Sequence, residues 1–544
     1  MTGWLPSYRR AWLRADVSAG VTLAAFAVPG SLAYASLAGL PPQAGLYCYM
    51  LAGIAYALFG TSRQAAVGPT SAMSILVGAT LGGLALGDPA RYGALAALTA
   101  VLVAGISLTA WTLRLGQVVH FISETVLTGF KAGVALQIAS TQLPKLFGIK
   151  GGGDGFFGRT QYLIAHLDDT HAMSLAVGGV GLLLLVAGER LLPRRPIVLL
   201  VVALSIVMTS VTGLAAQGVA VLGQVPAGFP SLGLGSVTLS DVSMLLPLSL
   251  ACFLLSYVET VSVVRTFALT HGYPVNADQE LLALGAANLA VGLGQGYPVA
   301  GGMSQSAVND KAGARTQVAI VVTSVVVGLV LVFFSGVFAN LPSAILAAVV
   351  LVAVKGLVNV RELRHLHRVS RPDFRVAMVA LTGVLAFGIL NGVLLAAIMS
   401  LLMLIRRAAR PHTAVLGRIP GTTQFGDVER HPTAESSPDL LVYRVYGGIV
   451  YFNVEHVEGD LRRLLRSRER PVTRVIFDLS SSPVVDLAGV RMLESLHEQL
   501  TATGIMFELA EARGAVRDLL QAEGVTARSG LIDPSKSLAA LCGA

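Results

Sequence analysis

Charge is scarce in this sequence. Of its 544 residues, 13% are Asp, Glu, Lys or Arg, whereas 54% are hydrophobic, and the mean hydropathy is +0.70. A water-soluble protein carries about twice that share of charged residues. The composition therefore excludes an ordinary soluble enzyme or binding protein and predicts a polytopic α-helical membrane protein.

Signatures of several other protein classes are also missing. The sequence contains no Gly-x-x-x-x-Gly-Lys phosphate loop, no His-Glu-x-x-His zinc motif and no Gly-x-Ser-x-Gly nucleophile elbow. We therefore expect neither ATP hydrolysis nor any other enzyme activity, and no cofactor. Of only three cysteines, Cys48 and Cys252 lie in apolar stretches, and we interpret them as packing residues rather than as a disulfide or a metal site.

Hydrophobic runs long enough to cross a bilayer recur along the first 410 residues. A spanning helix needs about 20 mostly apolar residues, and by that measure the sequence predicts about fourteen spans. The N-terminal segment runs into the first apolar stretch without an Ala-x-Ala cleavage site, so we expect the first helix to be retained. The clearest spans are residues 95–113, 174–192, 197–213, 318–337 and 376–405, the last being long enough for two.

Basic residues predict the orientation of the chain. Cytoplasmic connections of membrane proteins are rich in Lys and Arg, and alternate connections of this chain are basic, most clearly residues 361–375 and 406–410. The intervening connections are poor in basic residues, with 145–159 a partial exception. We therefore expect a multi-pass protein of the cell membrane, surrounded by lipid, with both termini in the cytoplasm. These basic loops explain the formal net charge of +8, so we expect no nucleic-acid partner.

Two polar breaks interrupt the apolar stretches with the same chemistry. Residues 67–72 are Val-Gly-Pro-Thr-Ser-Ala, and residues 297–304 are Tyr-Pro-Val-Ala-Gly-Gly-Met-Ser. In each, Pro and Gly precede small residues, hydroxyl-bearing ones among them, and a helical pattern then resumes, which is typical of a helix that begins partway through the bilayer. Such paired breaks indicate the substrate site in transporters built from inverted repeats.

The predicted orientation places these two helix starts face to face. The first break follows a cytoplasmic connection and the second an external one, so their helices should enter from opposite sides and begin near the midplane. A helix N-terminus presents free backbone N–H groups and roughly half a positive charge, so two of them form an anion site without a formal cation. The alternative is that these small residues only permit close helix packing.

The chain changes character after Arg410. We expect a transmembrane domain over residues 1–410, a polar linker over 411–437 and an α/β domain over 438–544, because short strand-like runs there alternate with amphipathic stretches. The predicted strands are 440–445, 449–454, 472–479 and 505–509, and the predicted helices are 457–466, 490–500 and 515–522.

Several motifs along the chain form a recognisable set. They are residues 16–22 (Asp-Val-Ser-Ala-Gly-Val-Thr), 34–42 (Tyr-Ala-Ser-Leu-Ala-Gly-Leu-Pro-Pro), 45–47, 60–63 with 67–70, 280–288 (Glu-Leu-Leu-Ala-Leu-Gly-Ala-Ala-Asn), 306–309 and 312–316. Together they resemble the SulP anion transporters, solute carrier family 26, and the C-terminal segment resembles the STAS domain of that family. The resemblance implies fourteen segments in two inverted halves of seven, a core domain that moves against a gate domain, and a homodimer.

The resemblance also assigns residues to the anion site. Tyr34, which follows Pro29 in the first helix, resembles an aromatic residue that lines the family's pocket. The substrate-binding positions carried over to the two breaks are Thr70, Ser71 and Ala72 in the first and Gly302, Met303, Ser304 and Gln305 in the second.

Glu259 is the candidate for ion coupling. It lies in the apolar span 245–269, where an acidic side chain is costly enough to indicate a function. The resemblance implies that a proton or a sodium ion is coupled at this position. The alternatives are a structural hydrogen bond to a neighbouring hydroxyl or backbone group, or an ion pair with Lys131.

Three positions depart from the family pattern. Many relatives have an arginine where this chain has Gln305, which slightly favours a weakly charged anion such as bicarbonate over sulfate or a dicarboxylate. Relatives often have Gln or Glu where Gly30 stands, which leaves Glu259 as the coupling candidate. The turn at 486–489 is Asp-Leu-Ala-Gly instead of Asp-Ser-Ser-Gly, so it has no serine to phosphorylate.

We expect the STAS domain to contact cytoplasmic proteins or to aid assembly or trafficking. The alternative is that it is a passive folding module, and nucleotide binding stays open.

These observations predict a secondary active transporter of a small anion that works by elevator-type alternating access. Two other hypotheses stay open. One is an uncoupled anion exchanger or channel, and the other is a non-transporting, membrane-tethered STAS scaffold.

Overall fold

The chain forms two compact units, Met1–Ser400 and Leu401–Ala544. The computed structural model describes residues 8–85, 88–116, 124–192, 197–468, 470–525 and 537–543.

The first unit is helical apart from two very short strands. Its strands are β1 Val67–Gly68 and β2 Ala300–Gly301. Its helices are α1 Leu13–Leu37, α2 Pro42–Phe59, α3 Ser71–Leu81, α4 Pro89–Thr112, α5 Glu124–Phe147, α6 Gly155–Ala165, α7 Ala172–Leu191, α8 Ile197–Thr212, α9 Leu239–His271, α10 Ala277–Leu293, α11 Met303–Lys311, α12 Val318–Leu329, α13 Ser343–Lys355, α14 Val360–Val369 and α15 Arg371–Ala409, which continues into the second unit.

Polar side chains fix where several of these apolar helices begin. Asp88 caps α4 by accepting a hydrogen bond from the Ala90 N–H at 2.9 Å. Asn276 caps α10 through the Gln279 N–H at 3.1 Å. Such caps satisfy N–H groups that have no partner within the helix, and replacing one costs about 1 kcal/mol.

Several helices match the predicted membrane spans. In the described part of the chain, seven helical runs are long and apolar enough to cross a membrane, and α3 and α8 are shorter apolar helices. The prediction of a polytopic helical membrane protein is confirmed, whereas the count of fourteen spans stays a prediction. The long stretch 376–405 is divided as expected, because α15 is interrupted at Gly388, whose φ of 82° is readily adopted only by glycine.

The second unit is an α/β domain built on one five-stranded sheet. The strand order is β4-β3-β5-β6-β7; β5, β6 and β7 are parallel, whereas β3 is antiparallel to both neighbours. Helices on the sheet bury a core that includes Tyr443, Phe477 and Leu493. The elements are β3 His412–Arg418, β4 Phe425–Asp427, β5 Leu440–Tyr446, α16 Val454–Ser467, β6 Arg474–Asp478, α17 Leu487–Ala502, β7 Met506–Ala510, α18 Gly514–Ala522 and α19 Leu538–Leu541.

The predicted strand at 449–454 is wrong. Only Ile449 forms a bridge, to Val485, and the chain then turns into α16. The Asn453 side chain closes this turn by accepting a hydrogen bond from the Val450 N–H at 2.9 Å. Residues 411–437, predicted as a linker, contain β3 and β4. The other predicted strands and helices of this unit are present, with their ends shifted by a few residues.

Candidate functional site

The two breaks predicted from the sequence lie side by side. β1 and β2 pair in antiparallel register, with Val67 opposite Gly301 and Gly68 opposite Ala300. The pairing continues beyond the strands, because the Gly302 N–H donates to the Ala66 carbonyl oxygen at 3.0 Å. The chain therefore runs in opposite directions through the two breaks and starts one helix from each.

The α3 half of the site is buried. Thr70 is the N-cap residue, and its Oγ1 accepts a hydrogen bond from the Met73 N–H at 3.4 Å. Thr70, Ser71 and Ala72 have exposed fractions of 9%, 8% and 3%. The helix axis thus presents its N-terminal end to the protein interior, where its partial positive charge is weakly screened.

The α11 half is more open. Gly302 is the N-cap residue, and Met303 and Ser304 at the start of the helix are exposed. Gln305 is buried, and its Nε2 donates to the Pro69 carbonyl oxygen of the first break at 2.9 Å. Gln305 therefore links the two breaks directly.

Backbone donors are available at both helix starts. The first N–H groups of a helix have no partner within it. Among the residues that the structure describes, no partner is found for the N–H groups of Ser71, Ala72, Met303 and Ser304. Donors of this kind at paired helix N-termini can hold an anion.

Glu259 lies against the α3 half of the site. Its Oε2 accepts a hydrogen bond from Thr70 Oγ1 at 3.3 Å, and its side chain is buried. Tyr34, also buried, is close enough to interact electrostatically with Glu259. No ion pair joins Glu259 to Lys131 within the described ranges, so of the structural alternatives the structure contains the hydroxyl contact and not the ion pair.

Glu259 differs from the other buried carboxylates of this unit. Glu280 accepts hydrogen bonds from Tyr56 Oη at 2.9 Å, from the Thr61 N–H at 2.7 Å and from Thr61 Oγ1 at 2.5 Å. Several donors thus hold the Glu280 carboxylate in place. Within the described part of the chain, Glu259 has a single, long contact instead.

The remaining two buried carboxylates are also well partnered. Asp16 accepts from the N–H groups of Arg315 and Thr316 and from Thr316 Oγ1, at 2.7, 3.1 and 2.7 Å. Asp241 pairs with Arg91 at 2.5 Å. Sequence reasoning treated Glu259 as the one obvious acidic candidate and gave no role to these three, although acidic residues next to apolar runs are a visible signal.

Sequence reasoning also missed the side chains that hold the second break. Ser256 Oγ donates to the Val299 carbonyl oxygen at 2.7 Å, and Thr260 Oγ1 accepts from the Gly301 N–H at 2.7 Å. Both flank Glu259 on α9, one turn apart. Asn288 accepts from the Val299 N–H at 3.0 Å. The signal in the sequence is a set of isolated polar residues in otherwise apolar helices.

Cys48 has a contact beyond packing. Its Sγ accepts from the Tyr297 N–H at 3.2 Å and lies 3.5 Å from the Tyr297 carbonyl oxygen, at the start of the second break. Tyr297 Oη in turn lies 3.1 Å from Ser74 Oγ on α3. The two breaks are therefore joined by side chains as well as by the strand pair.

Helices that begin at a pair of short strands inside a bundle of apolar helices are typical of membrane transport proteins. Solved structures share this fold. Murine solute carrier 26 family member A9, described as an anion transporter in the inward-facing state, superposes with a TM-score of 0.89 at 22% identity over 99% of this chain and 93% of that chain. The transmembrane domain of a cyanobacterium bicarbonate transporter, BicA, superposes with a TM-score of 0.63 at 21% identity over 72% of this chain and 98% of that chain.

This chain belongs to the sulfate permease family, whose model matches residues 13–380, and it carries a STAS domain, matched at residues 431–536. It is 35% identical to a probable sulfate transporter of Mycobacterium tuberculosis over 534 residues, 97% of this chain and 95% of the relative. It is 29% identical to the chloroplastic sulfate transporter 4.1 of Arabidopsis thaliana, over 97% of this chain and 79% of the relative. The resemblance found in the sequence is confirmed, and the family consists of transporters, not enzymes.

Proposed function

We propose that this protein is a secondary active transporter that holds a small anion between the N-termini of α3 and α11 and couples its movement to a proton or a sodium ion at Glu259. The observation that carries the proposal is the position of Glu259, 3.3 Å from the N-cap hydroxyl of α3, beside the paired strands. Anion donors and a buried acidic group thus occupy one site.

The substrate contacts follow from this placement. The backbone N–H groups at Ser71, Ala72, Met303 and Ser304 donate to the anion, the hydroxyls of Thr70 and Ser304 add polar contacts, and Gln305 and Tyr34 complete the site. That list is built from polar and aromatic groups, with no lysine or arginine. Two helix ends supply together about one elementary positive charge, which balances one negative charge more fully than two.

The names of similar proteins indicate which anions are candidate substrates. Two curated relatives are sulfate transporters in name, and one structural neighbour is a bicarbonate transporter in name. We place bicarbonate slightly ahead of sulfate and dicarboxylates because Gln305 supplies hydrogen bonds but no charge. Sulfate stays a close alternative.

The coupling role of Glu259 is supported by comparison with its neighbours in the fold. Asp16, Asp241 and Glu280 each accept several hydrogen bonds from the protein. Among the residues that the structure describes, Glu259 has only the Thr70 hydroxyl, which leaves its carboxylate free to take a proton or a sodium ion. A group whose charge changes beside the substrate is the physical requirement for coupling.

We also propose a transport mechanism, an oligomeric state and an orientation for this protein. Alternating access of the elevator type would move a core domain with its bound anion past a gate domain. We propose a homodimer in the cell membrane with both termini in the cytoplasm. There the STAS domain would contact cytoplasmic proteins.

A substrate panel in proteoliposomes tests the proposal. Uptake of sulfate, bicarbonate, chloride, nitrate and fumarate is measured with and without imposed proton and sodium gradients. We expect one of these anions to accumulate, and a gradient of one pH unit or a tenfold sodium gradient to raise accumulation by about tenfold, since either is worth about 1.4 kcal/mol. Uptake that ignores both gradients indicates an uncoupled exchanger or channel. No transport, together with no shift of thermal stability by any anion, indicates a scaffold.

Replacing Thr70 by Val should weaken the α3 half of the site. The change removes both the N-cap oxygen and the donor to Glu259, at a cost of about 1 kcal/mol. We expect the melting temperature in detergent to fall by about 2 °C. Uptake at low substrate should fall about fivefold, because losing one polar contact with the anion costs about 1 kcal/mol. Thr80→Val is the matched control, because Thr80 lies on the same helix and, among the described residues, its hydroxyl bonds only to the Leu76 carbonyl oxygen. Equal losses in both variants would contradict the role of Thr70.

A further inference from the structure

A short basic helix, α14, lies next to two apolar runs. It ends the run 343–369 and precedes the run 371–389, each long and apolar enough to cross a membrane. Most of the apolar length of the first run belongs to α13, so α14 lies at the edge of the apolar region. The positive-inside rule assigns this edge to the cytoplasmic surface.

Charge and apolar residues occupy opposite sides of α14. At about 100° per residue, Arg361, Arg364 and Arg368 fall on one side of the helix, whereas Leu363 and Leu366 fall on the other. A helix with this pattern is suited to the interface between lipid and water, where each side meets the medium that it prefers.

The positive charge of this segment is unbalanced. Between residues 360 and 375 there are five arginines, all exposed, against the two acidic residues Glu362 and Asp373. Across the described ranges of the chain, none of these arginines forms an ion pair. Their charge is therefore available to an anionic partner.

A cavity opens where the two sides of α14 meet. It has a volume of about 350 Å³. Its lining surface is almost entirely apolar, and two of the residues that line it, Arg364 and Arg368, are exposed. Phe374 of α15 also lines it, with its ring 4.8 Å from that of His367. The lining residues are Val360, Leu363, Arg364, His367, Arg368 and Phe374.

We propose that an anionic phospholipid binds at this cavity, with its headgroup on the exposed arginines and its first acyl-chain carbons in the apolar cavity. Arg364 and Arg368 would hold the phosphate, because guanidinium groups bind phosphate with paired hydrogen bonds. Val360, Leu363 and Phe374 would contact the first carbons of the acyl chains. A free phosphate ion would use the arginines alone, whereas a phospholipid also uses the apolar cavity, and the adjoining apolar runs place lipid next to it.

Lipid binding to the full-length protein tests this site. The protein is purified in mild detergent and titrated with phosphatidylglycerol or phosphatidylcholine, and bound lipid is counted by native mass spectrometry. We expect phosphatidylglycerol to bind at least tenfold more tightly. A doubly substituted Arg364→Gln, Arg368→Gln protein should lose about 25-fold, because each arginine near an anionic headgroup is worth about fivefold.

Two control proteins make the result specific. Arg406→Gln with Arg407→Gln removes the same charge from the end of α15, outside the cavity, and should change binding by less than threefold. Arg364→Lys with Arg368→Lys keeps the charge but not the paired hydrogen bonds, so its binding should lie between that of the wild type and that of the double Gln protein. If the double Gln protein does not fold, judged by its melting temperature, the single variants replace it, each with an expected fivefold loss.

Three outcomes would overturn the proposal. The first is unchanged phosphatidylglycerol binding in a folded Arg364→Gln, Arg368→Gln protein. The second is an equal loss in the Arg406→Gln, Arg407→Gln control, which would indicate general attraction to a basic surface. The third is displacement of the lipid by glycerol 3-phosphate at equal concentration, which would identify a site for soluble phosphate.

Discussion

Replacing Glu259 by Gln should abolish the dependence of uptake on the coupling gradient. Glutamine has nearly the same shape and its Oε1 can still accept from Thr70 Oγ1, which lies 3.3 Å from the carboxylate now. It cannot ionise, so it neither carries a proton nor attracts a sodium ion. We expect the roughly tenfold accumulation driven by one pH unit or a tenfold sodium gradient to fall to the level without a gradient.

Proteoliposome uptake at matched protein density measures this effect. Glu189→Gln is the control, because Glu189 is an exposed acid near the end of α7, away from the strand pair. That variant should keep the full response. A Glu259→Gln protein that keeps the proton and sodium dependence of the wild type would remove Glu259 from the coupling mechanism and leave it the structural role that its contact with Thr70 allows.

Replacing Gln305 by Arg should shift the anion preference toward sulfate. Gln305 already donates to the Pro69 carbonyl oxygen at 2.9 Å, and an arginine can keep that bond while adding a positive charge between the two helix ends. A unit charge about 4 Å from an anion is worth about 4 kcal/mol at an effective dielectric constant of about 20. Desolvation of the guanidinium offsets much of it, so we expect the sulfate to bicarbonate uptake ratio to rise about tenfold.

Gln305→Met is the neutral comparison for this experiment. Methionine has a similar length but no donor for Pro69, so total uptake should fall while the ratio of the two anions stays within about twofold. An unchanged or lower sulfate ratio in a folded Gln305→Arg protein would show that the charge at this position does not set the preference.

The membrane helices and the two breaks were predictable because they depend on local composition. An apolar run of sufficient length is a helix wherever it packs, and Gly-Pro or Pro-Val followed by small residues marks a helix start. The internal division of 376–405 was predictable from length alone, although the exact position, Gly388, was not. Local patterning also predicted most of the second unit. It failed at 449–454, because the apolar residues Ile-Val-Tyr-Phe at 449–452 favour a strand, whereas the Asn453 side chain closes a turn there.

The partners within the site were not predictable, because they depend on contacts between distant parts of the chain. Gln305 and Pro69 are 236 residues apart. Ala66, whose N–H donates to Ser306 Oγ at 2.8 Å, lies 240 residues from that serine. The sequence indicated that the two breaks should meet, and no local pattern indicated which side chain would join them. The difference between Glu259 and Glu280 is of the same kind, since both are acids in apolar surroundings and only their donors distinguish them.

The pairing of β1 with β2 restricts how a bound anion could leave this protein. With Val67 opposite Gly301 and Gln305 bound to Pro69, the two helix starts cannot part without breaking several buried hydrogen bonds at once. If one helix end moved away to release the anion while the other stayed in place, the donors and acceptors of those hydrogen bonds would be left without partners in an apolar interior. In the proposed transport cycle both helix starts would therefore move together, and the exit path would open elsewhere among the helices.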